Sequence, residues 1–532
     1  MAYIKINDKE ITVENGKTIL DAAKEVGIKI PHYCYHPKLS IAGSCRMCLV
    51  EVEGAPKLLT ACSTRVGELP PERKIDGKFD MVVRTETNVV KDARESILEF
   101  LLLNHPIDCP ECDQAGYCKL QDYSYEHGKD KSRFEFPKRV PPKKDLGPTM
   151  LLYTTRCILC SRCVRFTREI SGTNELIVNR RGASAEIDTF PEMPLDNKLS
   201  MNVADLCPVG ALVTKDFLFK PRVWNYNSNT TICTKCSKGC NIHVDYIDYE
   251  NKIYRIKPVY NKDVNEYWMC DEGRLFYHEA ADVKRLTKPM HKVNNIHVTS
   301  NWFKVTNEVF NKLSETDQKD ILFIVSAALT NEELFMLKKL HDEVFPEATV
   351  VLADNYLKLD DEVFPGFTIE GTKVPNLKGF EIIWGKTDTL TNLIKSGKTD
   401  KFKVIYYING DIHSQFDVEI LNGLKNADSL IVQDFYENSL TEIADYILPS
   451  AGPYEKDGTY VNSNQIVQRA RKILVPTGAA KTDFDILVDL FEKFDLPAPI
   501  RASKVFQQMA EQIALFKDLE FNQLKPAKEK KK

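Results

Sequence analysis

All fifteen cysteines of this 532-residue chain lie before residue 271, and this constrains its fold more than any other feature. With one histidine added, they form four sets of four whose spacings suit metal ligation. The sets are Cys34, Cys45, Cys48 and Cys62; His105, Cys109, Cys112 and Cys118; Cys157, Cys160, Cys163 and Cys207; and Cys233, Cys236, Cys240 and Cys270. No cysteine is left over. Four metal centres close together in sequence indicate a protein that conducts electrons.

A secreted, disulfide-bonded protein is the alternative interpretation of fifteen cysteines. The first residues, MAYIKINDKEITVENG, alternate like a strand and lack the apolar core of a signal peptide. The longest apolar run, residues 321–329, is shorter than the ~20 residues of a membrane span. A net charge of −4 gives no footprint for nucleic acid. We therefore expect a soluble chain in a reducing compartment, where Cys-x-x-Cys pairs bind metal.

The first and third sets have the most informative spacings. The first, Cys-x10-Cys-x2-Cys-x13-Cys, favours [2Fe–2S], although the plant-type cluster has a shorter first gap. Tetrahedral zinc is less favoured because only Cys45 and Cys48 form a close pair. In the third, Cys157-x2-Cys160-x2-Cys163 with a distant Cys207-Pro208 has the pattern of a bacterial [4Fe–4S] ferredoxin with its fourth cysteine moved away.

The other two sets are less specific. The second has only three cysteines, which makes His105 the candidate fourth ligand. Spacing alone leaves that role open, because a lone histidine is usually a surface or core residue. The fourth set, Cys-x2-Cys-x3-Cys-x29-Cys, is looser, and zinc or an empty site remains an alternative there.

Hydrophobic patterning predicts a change of architecture after Cys270. Before it we expect strands at Tyr3–Asn7 and Glu10–Glu14, a helix from Thr18 to about Val26, strands around Leu49–Val52 and Met81–Arg84, and a helix over 88–104. After it, buried-type strands alternate with helices, which predicts a parallel α/β sheet. Those strands are expected at Ile321–Val325, Thr349–Leu352, Glu381–Trp384, Val404–Ile408 and Ser429–Val432.

Two helix signals accompany this pattern. Thr330 and Glu333 form a capping box in front of a helix. Near the C-terminus, a helix from about Ser503 carries Val505, Met509, Ile513 and Phe516 on one face. We expect that face to pack on the body of the chain, with a docking helix as the alternative. The last residues, KPAKEKKK, are typical of a solvated tail.

Five segments together resemble one family. They are CYHPKLSIAGSCRMCLVEVEGAPK, NHPIDCPECDQAGYCKLQD, TRCILCSRCVRFTREI, DLCPVGAL and, more faintly, TEIADYILPSAGPYEKDGTYVN. The first four are similar to the large iron–sulfur subunit of respiratory complex I, the NADH:quinone oxidoreductase, of bacterial type (the G subunit, or 75 kDa subunit). The last is similar to the molybdopterin-oxidoreductase superfamily.

The resemblance implies a cofactor for each set. The first would hold [2Fe–2S], the second a His-ligated [4Fe–4S], and the third another [4Fe–4S] on the main electron path. The fourth would hold the additional [4Fe–4S] that only some bacterial members carry, set apart from that path. Its presence implies a bacterial rather than a mitochondrial source.

The resemblance also implies an α+β and α/β multidomain fold. We expect a β-grasp [2Fe–2S] ferredoxin domain at 1–80, a helical [4Fe–4S] domain with one histidine and three cysteines at 81–124, and a ferredoxin-like [4Fe–4S] domain at 145–220. An additional [4Fe–4S] domain of molybdopterin-oxidoreductase type would follow at 221–290. A truncated molybdopterin-oxidoreductase-like α/β domain without cofactor would occupy 299–500, and a C-terminal helix with a basic tail 501–532.

No molybdopterin is expected, for three reasons. No cysteine follows Cys270 to bind molybdenum, and Glu272 stands where formate dehydrogenases carry a lysine between cluster and pterin. A carboxylate cannot make the same charged contact. The second half is also short for two complete pterin-binding domains.

The implied function is electron relay in a respiratory, proton-translocating NADH dehydrogenase. Single electrons would come from the NADH-oxidising flavoprotein subunit and leave through the third set toward quinone-reducing peripheral-arm subunits. The chain would have no substrate site of its own and would lie on the cytoplasmic side of the bacterial inner membrane, bound only through partner subunits. Arg156, Arg162 and Arg165 would either offset thiolate charge beside the third set or lie on the surface.

Three other functions stay open at this point. One is a molybdenum or tungsten enzyme of the formate dehydrogenase kind. Another is the iron–sulfur subunit of a soluble NAD-linked hydrogenase or formate dehydrogenase complex. The third is an α/β interaction scaffold whose cysteines hold structural zinc.

Overall fold

The computed structural model describes residues 1–67 and 78–526, which form two compact units. The first unit is Met1–Asn225 with Phe364–Gly366, and the second begins at Tyr226 and contains the rest of the described chain. The expected basic tail lies mostly outside the described residues. None of the described helices is both long and apolar enough to cross a membrane.

A five-stranded sheet begins the first unit. Its order is Lys9–Val13, Ala2–Ile6, Met81–Arg84, Leu49–Val52 and Leu59–Thr60, with one parallel pair in the middle and antiparallel pairs around it. Ile4 and Ile6 alternate with half-buried neighbours, as one buried sheet face requires. The helix Ile19–Glu25 covers that face and starts at Thr18, whose hydroxyl accepts a hydrogen bond from the Asp21 amide. The predictions for this helix and for four of these strands are confirmed, with bounds that differ from the predicted ones by no more than two residues.

Short elements around the second and third cysteine sets complete the first unit. The helices are Asn88–Leu102, Lys119–His127, Arg162–Glu169 and Asn202–Leu206. The strands are Lys144–Asp145, Met150–Leu152 and Leu212–Thr214 in one sheet, and Leu176–Asn179 with Glu186–Thr189 in another.

The second unit begins with an antiparallel sheet of three strands, Asn227–Ile232, Asn241–Ile247 and Lys252–Pro258. The helix Asp271–Asp282 follows, with Cys270 as its N-cap residue. The fourth cysteine set therefore spans this sheet and the start of the helix.

An eight-stranded sheet forms the centre of the second unit. Six neighbouring strands are parallel and an antiparallel hairpin closes one edge, which confirms the predicted parallel sheet. Its order is Ile296–Thr299, Met290–Val293, Tyr446–Pro449, Ser429–Asp434, Val404–Ile408, Ile321–Ser326, Thr349–Ala353 and Asp388–Thr389. Two short hairpins, Glu362–Phe364 with Phe367–Ile369 and Gly458–Val461 with Val467–Ala470, lie outside it.

Helices cover both faces of this sheet. Phe323 and Val325 point into one apolar cluster while Leu322 and Ile324 point into the other, so the central strand is buried on both sides. The helices are Trp302–Glu315, Asn331–Val344, Leu377–Trp384, Leu390–Lys395, Val418–Leu424, Ser439–Ile443, Asp483–Lys493 and Ala502–Gln512. The Thr330–Glu333 capping box is confirmed. The last helix packs inward through Val505 and Met509, as predicted. It ends at Gln512, so Ile513 and Phe516, which were expected on the same helical face, follow it, and Phe516 is buried from a short 3-10 helix.

One predicted strand is wrong. Residues 381–384 end the helix Leu377–Trp384 instead of forming a strand. Phe380 and Ile383, three positions apart, are its buried residues, a helical period. A short apolar run such as FEIIW cannot be assigned from periodicity alone, and here helical packing decided the outcome.

Candidate metal centres

The four cysteines of the first set come together at the end of the helix Ile19–Glu25 and the edge of the sheet. The amides of Tyr33 and Cys34 both donate to Cys45 Sγ at 3.5 Å. Hydrogen bonds from Cys45 and Cys62 lower the pKa of Cys34 despite burial, so these three sulfurs are in contact, and Cys48 contacts Cys62 in the same way. Gly43 has φ +60°, which supplies the bend that the loop needs.

The second set lies where the helix Asn88–Leu102 ends and the helix Lys119–His127 begins. Cys112 and Cys118 are buried, and Cys118 is within electrostatic reach of Cys109 and Cys112. Burial lowers the pKa of His105 to about 4, which keeps the imidazole neutral, as a ligand must be. The ring lies within electrostatic reach of Asp108, Lys138 and Arg156, and ligation by His105 stays a prediction.

The third set surrounds an apolar cavity. All four of its cysteines line this cavity, together with aliphatic side chains such as Ile187 and Leu212. Burial raises the pKa of Cys157 to about 12 and that of Cys160 to about 11, so the free thiols are protonated at neutral pH. A metal cluster must displace these protons when it binds.

The fourth set lies in the second unit. The Cys233 amide donates to the Cys240 carbonyl at 2.8 Å, and the Gly273 amide donates to Cys270 Sγ at 3.3 Å. A β-carbon on Gly273 would lie 3.1 Å from Cys233 Sγ and 3.3 Å from Cys270 Sγ. This glycine therefore lets the start of the helix approach two sulfurs closely.

Left-handed backbone recurs inside the cysteine loops. Arg46, Leu159 and Ser161 have φ values of +58°, +52° and +58° without being glycine. Each lies between two cysteines of one set. Such residues cost of order 1–3 kcal/mol each and persist where surrounding structure fixes them, which favours a functional role for these loops.

The three arginines left open by the sequence are buried. Arg156, Arg162 and Arg165 have exposed fractions of only 3%, 5% and 7%, which excludes the surface interpretation. Arg156 donates to Asp108 Oδ2 at 2.6 and 2.9 Å and to the Gly210 carbonyl at 3.4 Å. This arginine therefore connects the loop of the second set with the loop of the third.

A second contact joins the same two loops. A β-carbon on Gly210 would lie 2.2 Å from Cys112 Sγ, and the Lys119 amide donates to the Pro208 carbonyl at 3.2 Å. Pro208 and Gly210 lie one and three positions after Cys207 of the third set. The backbone of the third set therefore lies against the sulfur of the second.

Buried polar atoms without partners test whether these sites fit iron–sulfur clusters. Tyr33 Oη, His105 Nδ1, Thr234 Oγ1 and Tyr454 Oη are buried and have no hydrogen-bond partner among the described residues. Tyr33 is within electrostatic reach of Cys118 and Cys45. Tyr454 is within electrostatic reach of Cys233. A buried donor without a partner costs about 1–3 kcal/mol, and sulfur atoms of a bound cluster would supply the missing acceptors. The surroundings of the cysteines fit such a group.

Sequence reasoning missed the two buried lysines beside the fourth set. Lys235 is 3% exposed and pairs with Glu279 at 2.5 Å, and its Nζ lies 2.7 Å from His413 Nε2. Lys373, 4% exposed, pairs with Glu272 at 2.7 Å. The position of Lys235 between Cys233 and Cys236 was a usable signal, but nothing in the sequence connects Lys373 with Glu272.

Within the described residues, no group of three or more His, Cys, Asp or Glu side chains is arranged to hold a metal ion. Iron ligation by the sixteen named residues therefore stays a prediction, supported by the convergence of the thiols and by the unpartnered donors around them.

Five family models match separate parts of the chain. They are a 2Fe-2S iron-sulfur cluster binding domain (1–68), the NADH-ubiquinone oxidoreductase-G iron-sulfur binding region (94–133), the ferredoxin-like domain of NADH-quinone oxidoreductase subunit 3 (147–213), the molybdopterin oxidoreductase Fe4S4 domain (227–281) and molybdopterin oxidoreductase (371–493). These matches define the class: a mixed α/β protein with 2Fe-2S and 4Fe-4S binding domains and a molybdopterin-oxidoreductase-like domain.

Comparison with individual proteins describes this likeness more closely. The G subunit of NADH-quinone oxidoreductase from Rickettsia conorii is 38% identical over 64% of this chain and 49% of its own length. The NADH-ubiquinone oxidoreductase 75 kDa subunit of Reclinomonas americana is 41% identical over 64% of this chain and 47% of its own length. A mitochondrial NADH dehydrogenase [ubiquinone] iron-sulfur protein 1 from Solanum tuberosum is 44% identical over 53% and 36%. In these three comparisons the chain is similar, over up to 64% of its length, to the family formed by the G subunit and the 75 kDa subunit of NADH-quinone oxidoreductases.

These relatives are longer than the chain. The chain spans about half the length of the curated relatives it matches. A crystal structure of an NAD+-reducing [NiFe]-hydrogenase is 27% identical over 42% of this chain and 91% of that chain, with a TM-score of 0.37.

Proposed function

We propose that this chain is an electron-relay subunit of a respiratory NADH:quinone oxidoreductase. Its three cysteine sets in the first unit, joined by buried arginines, are the observation that carries the proposal. Clusters bound there would supply one-electron redox chemistry at low potential. The partners would be an NADH-oxidising flavoprotein subunit and quinone-reducing subunits at the cytoplasmic face of a bacterial membrane.

The proposed ligands follow the four sets. Cys34, Cys45, Cys48 and Cys62 would hold [2Fe–2S]. The other three sets would each hold [4Fe–4S], with His105 in place of one thiolate in the second. We therefore propose that the chain binds four iron–sulfur clusters in total and no molybdopterin.

The protein's part in this function is to fix the spacing of the centres and to tune them. Arg156 holds the second loop against the third, and Arg162 and Arg165 hold the first loop against the third. Contacts of the third set with both others favour a central position for it in the relay over the exit position inferred from sequence. Burial of most of these cysteines limits the access of water to the three centres.

The charges beside Glu272 support the absence of molybdopterin. Lys373 pairs with Glu272 at 2.7 Å, and Lys235 lies 3.7 Å from the same carboxylate. The lysine charges are therefore already neutralised by protein groups. In the formate dehydrogenase pattern, by contrast, a lysine at position 272 would be available to a pterin.

The test is metal analysis combined with identification of partners. We expect abundant iron without molybdenum or tungsten in the purified chain, and quinone-reductase subunits in material gently solubilised from membranes. Molybdenum or tungsten in the chain, or a soluble nickel-containing partner, would instead assign it to a formate dehydrogenase or hydrogenase complex. Zinc in place of iron would refute electron relay altogether.

A further inference from the structure

One helix of the first unit lies between the first and third sets. The helix Arg162–Glu169 carries Cys163 of the third set. Arg162, Arg165 and Glu169, at helical spacing i, i+3 and i+7, all contact the segment 34–40 of the first set. Arg168 of the same helix is exposed. One face of this helix therefore packs against the loop of the first set, although the helix itself carries a cysteine of the third set.

Arg165 contacts a ligand residue of both sets at once. Its Nη2 donates to the Cys34 carbonyl at 2.6 Å and to the Cys160 carbonyl at 3.2 Å, while Nη1 donates to the Ser40 carbonyl. Arg162 makes a parallel connection from the Tyr35 carbonyl to the Leu206 carbonyl. Cys34 and Cys160 are separated by more than a hundred residues in sequence, so this guanidinium is a direct tertiary link between two cysteine loops.

We propose that the buried positive charge of Arg165 raises the reduction potentials of the first and third centres together. The proposal rests on the function proposed above, because it requires clusters at both sets. A reduced cluster carries one more negative charge than an oxidised one. A nearby buried cation stabilises the reduced form, and the effect is larger in the interior than in water.

The residue type suits this role. An arginine side chain stays charged throughout the accessible pH range and presents several N–H donors in a rigid fork. Arg165 uses that fork to reach three carbonyl groups, two of them belonging to proposed ligands. A lysine would keep the charge but not the fork, which separates the electrostatic role from the geometric one.

The experiment uses the full chain with its clusters loaded, in four forms: wild type, Arg165→Gln, Arg165→Lys and Arg168→Gln. Electron paramagnetic resonance at a series of poised potentials follows the first and third centres separately, and iron content is measured on the same samples. At a fixed ambient potential, we expect Arg165→Gln to lower the reduced-to-oxidised ratio of both centres about tenfold, equivalent to ~59 mV for one electron. We expect Arg165→Lys to stay near the wild-type ratio, and Arg168→Gln to equal wild type.

Several results would overturn the proposal. They are an unchanged ratio at either centre in Arg165→Gln, an equal shift in Arg165→Lys, or loss of iron from both Arg165 variants alike, which would assign the residue to packing only. Failure of the underlying function gives a different result, because wild-type protein would then lack the two cluster signals from the start.

Discussion

A buried ion-pair group in the second unit gives the sharpest stability prediction. Lys456 Nζ lies 2.9 Å from Asp483 Oδ2 and 3.2 Å from Glu333 Oε2, and all three side chains are buried. Glu333 also caps the helix Asn331–Val344, and Asp483 begins the helix Asp483–Lys493. The lysine therefore joins two helix starts on one face of the large sheet.

Replacing Lys456 by methionine leaves two buried carboxylates without their cation. Removing one partner of a buried pair costs roughly 3–5 kcal/mol, because the remaining charge stays desolvated. Burial already raises the pKa of Glu333 although Lys456 lowers it, so loss of the lysine raises that pKa further. The folded variant then binds more protons than the unfolded chain above about pH 4, so its stability falls as pH rises. We expect the deficit to be largest near pH 8 and to shrink toward pH 5.

The assay is urea unfolding at both pH values, combined with hydrogen exchange of the two helices, because a chain with two units need not unfold in one step. Lys378→Met is the matched control. It removes an exposed pair with Glu381 at 2.7 Å and should cost less than about 1 kcal/mol. Equal losses in the two variants, or a deficit that grows on acidification, would refute the reasoning.

Three further predictions concern the centres and their surroundings. Gly210→Ala places a β-carbon 2.2 Å from Cys112 Sγ and should lower the iron content and change the spectrum of the second centre. The control Gly423→Ala, whose β-carbon would lie 3.3 Å from Ile394, should leave both unchanged. A normal iron content in Gly210→Ala would contradict the close approach. His105→Cys should keep the cluster at a lower potential, and an unchanged potential and spectrum would mean that His105 is not a ligand. Burial raises the pKa of Asp411 to about 7, so its folded form keeps a proton that the unfolded chain loses near pH 4. Stability is therefore lost as pH rises from about 4 to 7, at up to ~1.4 kcal/mol per pH unit, and urea unfolding of Asp411→Asn should lack this slope; an identical slope would refute it.

The sequence predicted the cysteine sets because ligand spacing is a local property. The spacing from Cys157 to Cys163 predicts that this run wraps one centre, whatever the fold of the rest of the chain. The parallel sheet was equally predictable, because strands such as Ile321–Ser326 are apolar on both faces. The strand predicted at residues 381–384 failed where the local signal was shorter than one clear period.

Contacts between the sets could not be predicted in this way. Arg165 and Cys34 are 131 residues apart in sequence, and no periodicity relates them. Arginine next to a cysteine is common enough that surface charge and charge compensation were equal interpretations. Burial decided between them, and burial depends on how the domains pack. Lys373 beside Glu272 illustrates the same limit in the second unit.

The two units also differ in how their centres are connected to protein charge. In the first unit, arginines reach from one set to the next, so a change at Arg165 or Arg156 acts on two loops together. In the second, Lys235 lies within its own set and pairs with Glu279 and His413 of the same unit. Substitutions around the fourth set should therefore change that centre alone.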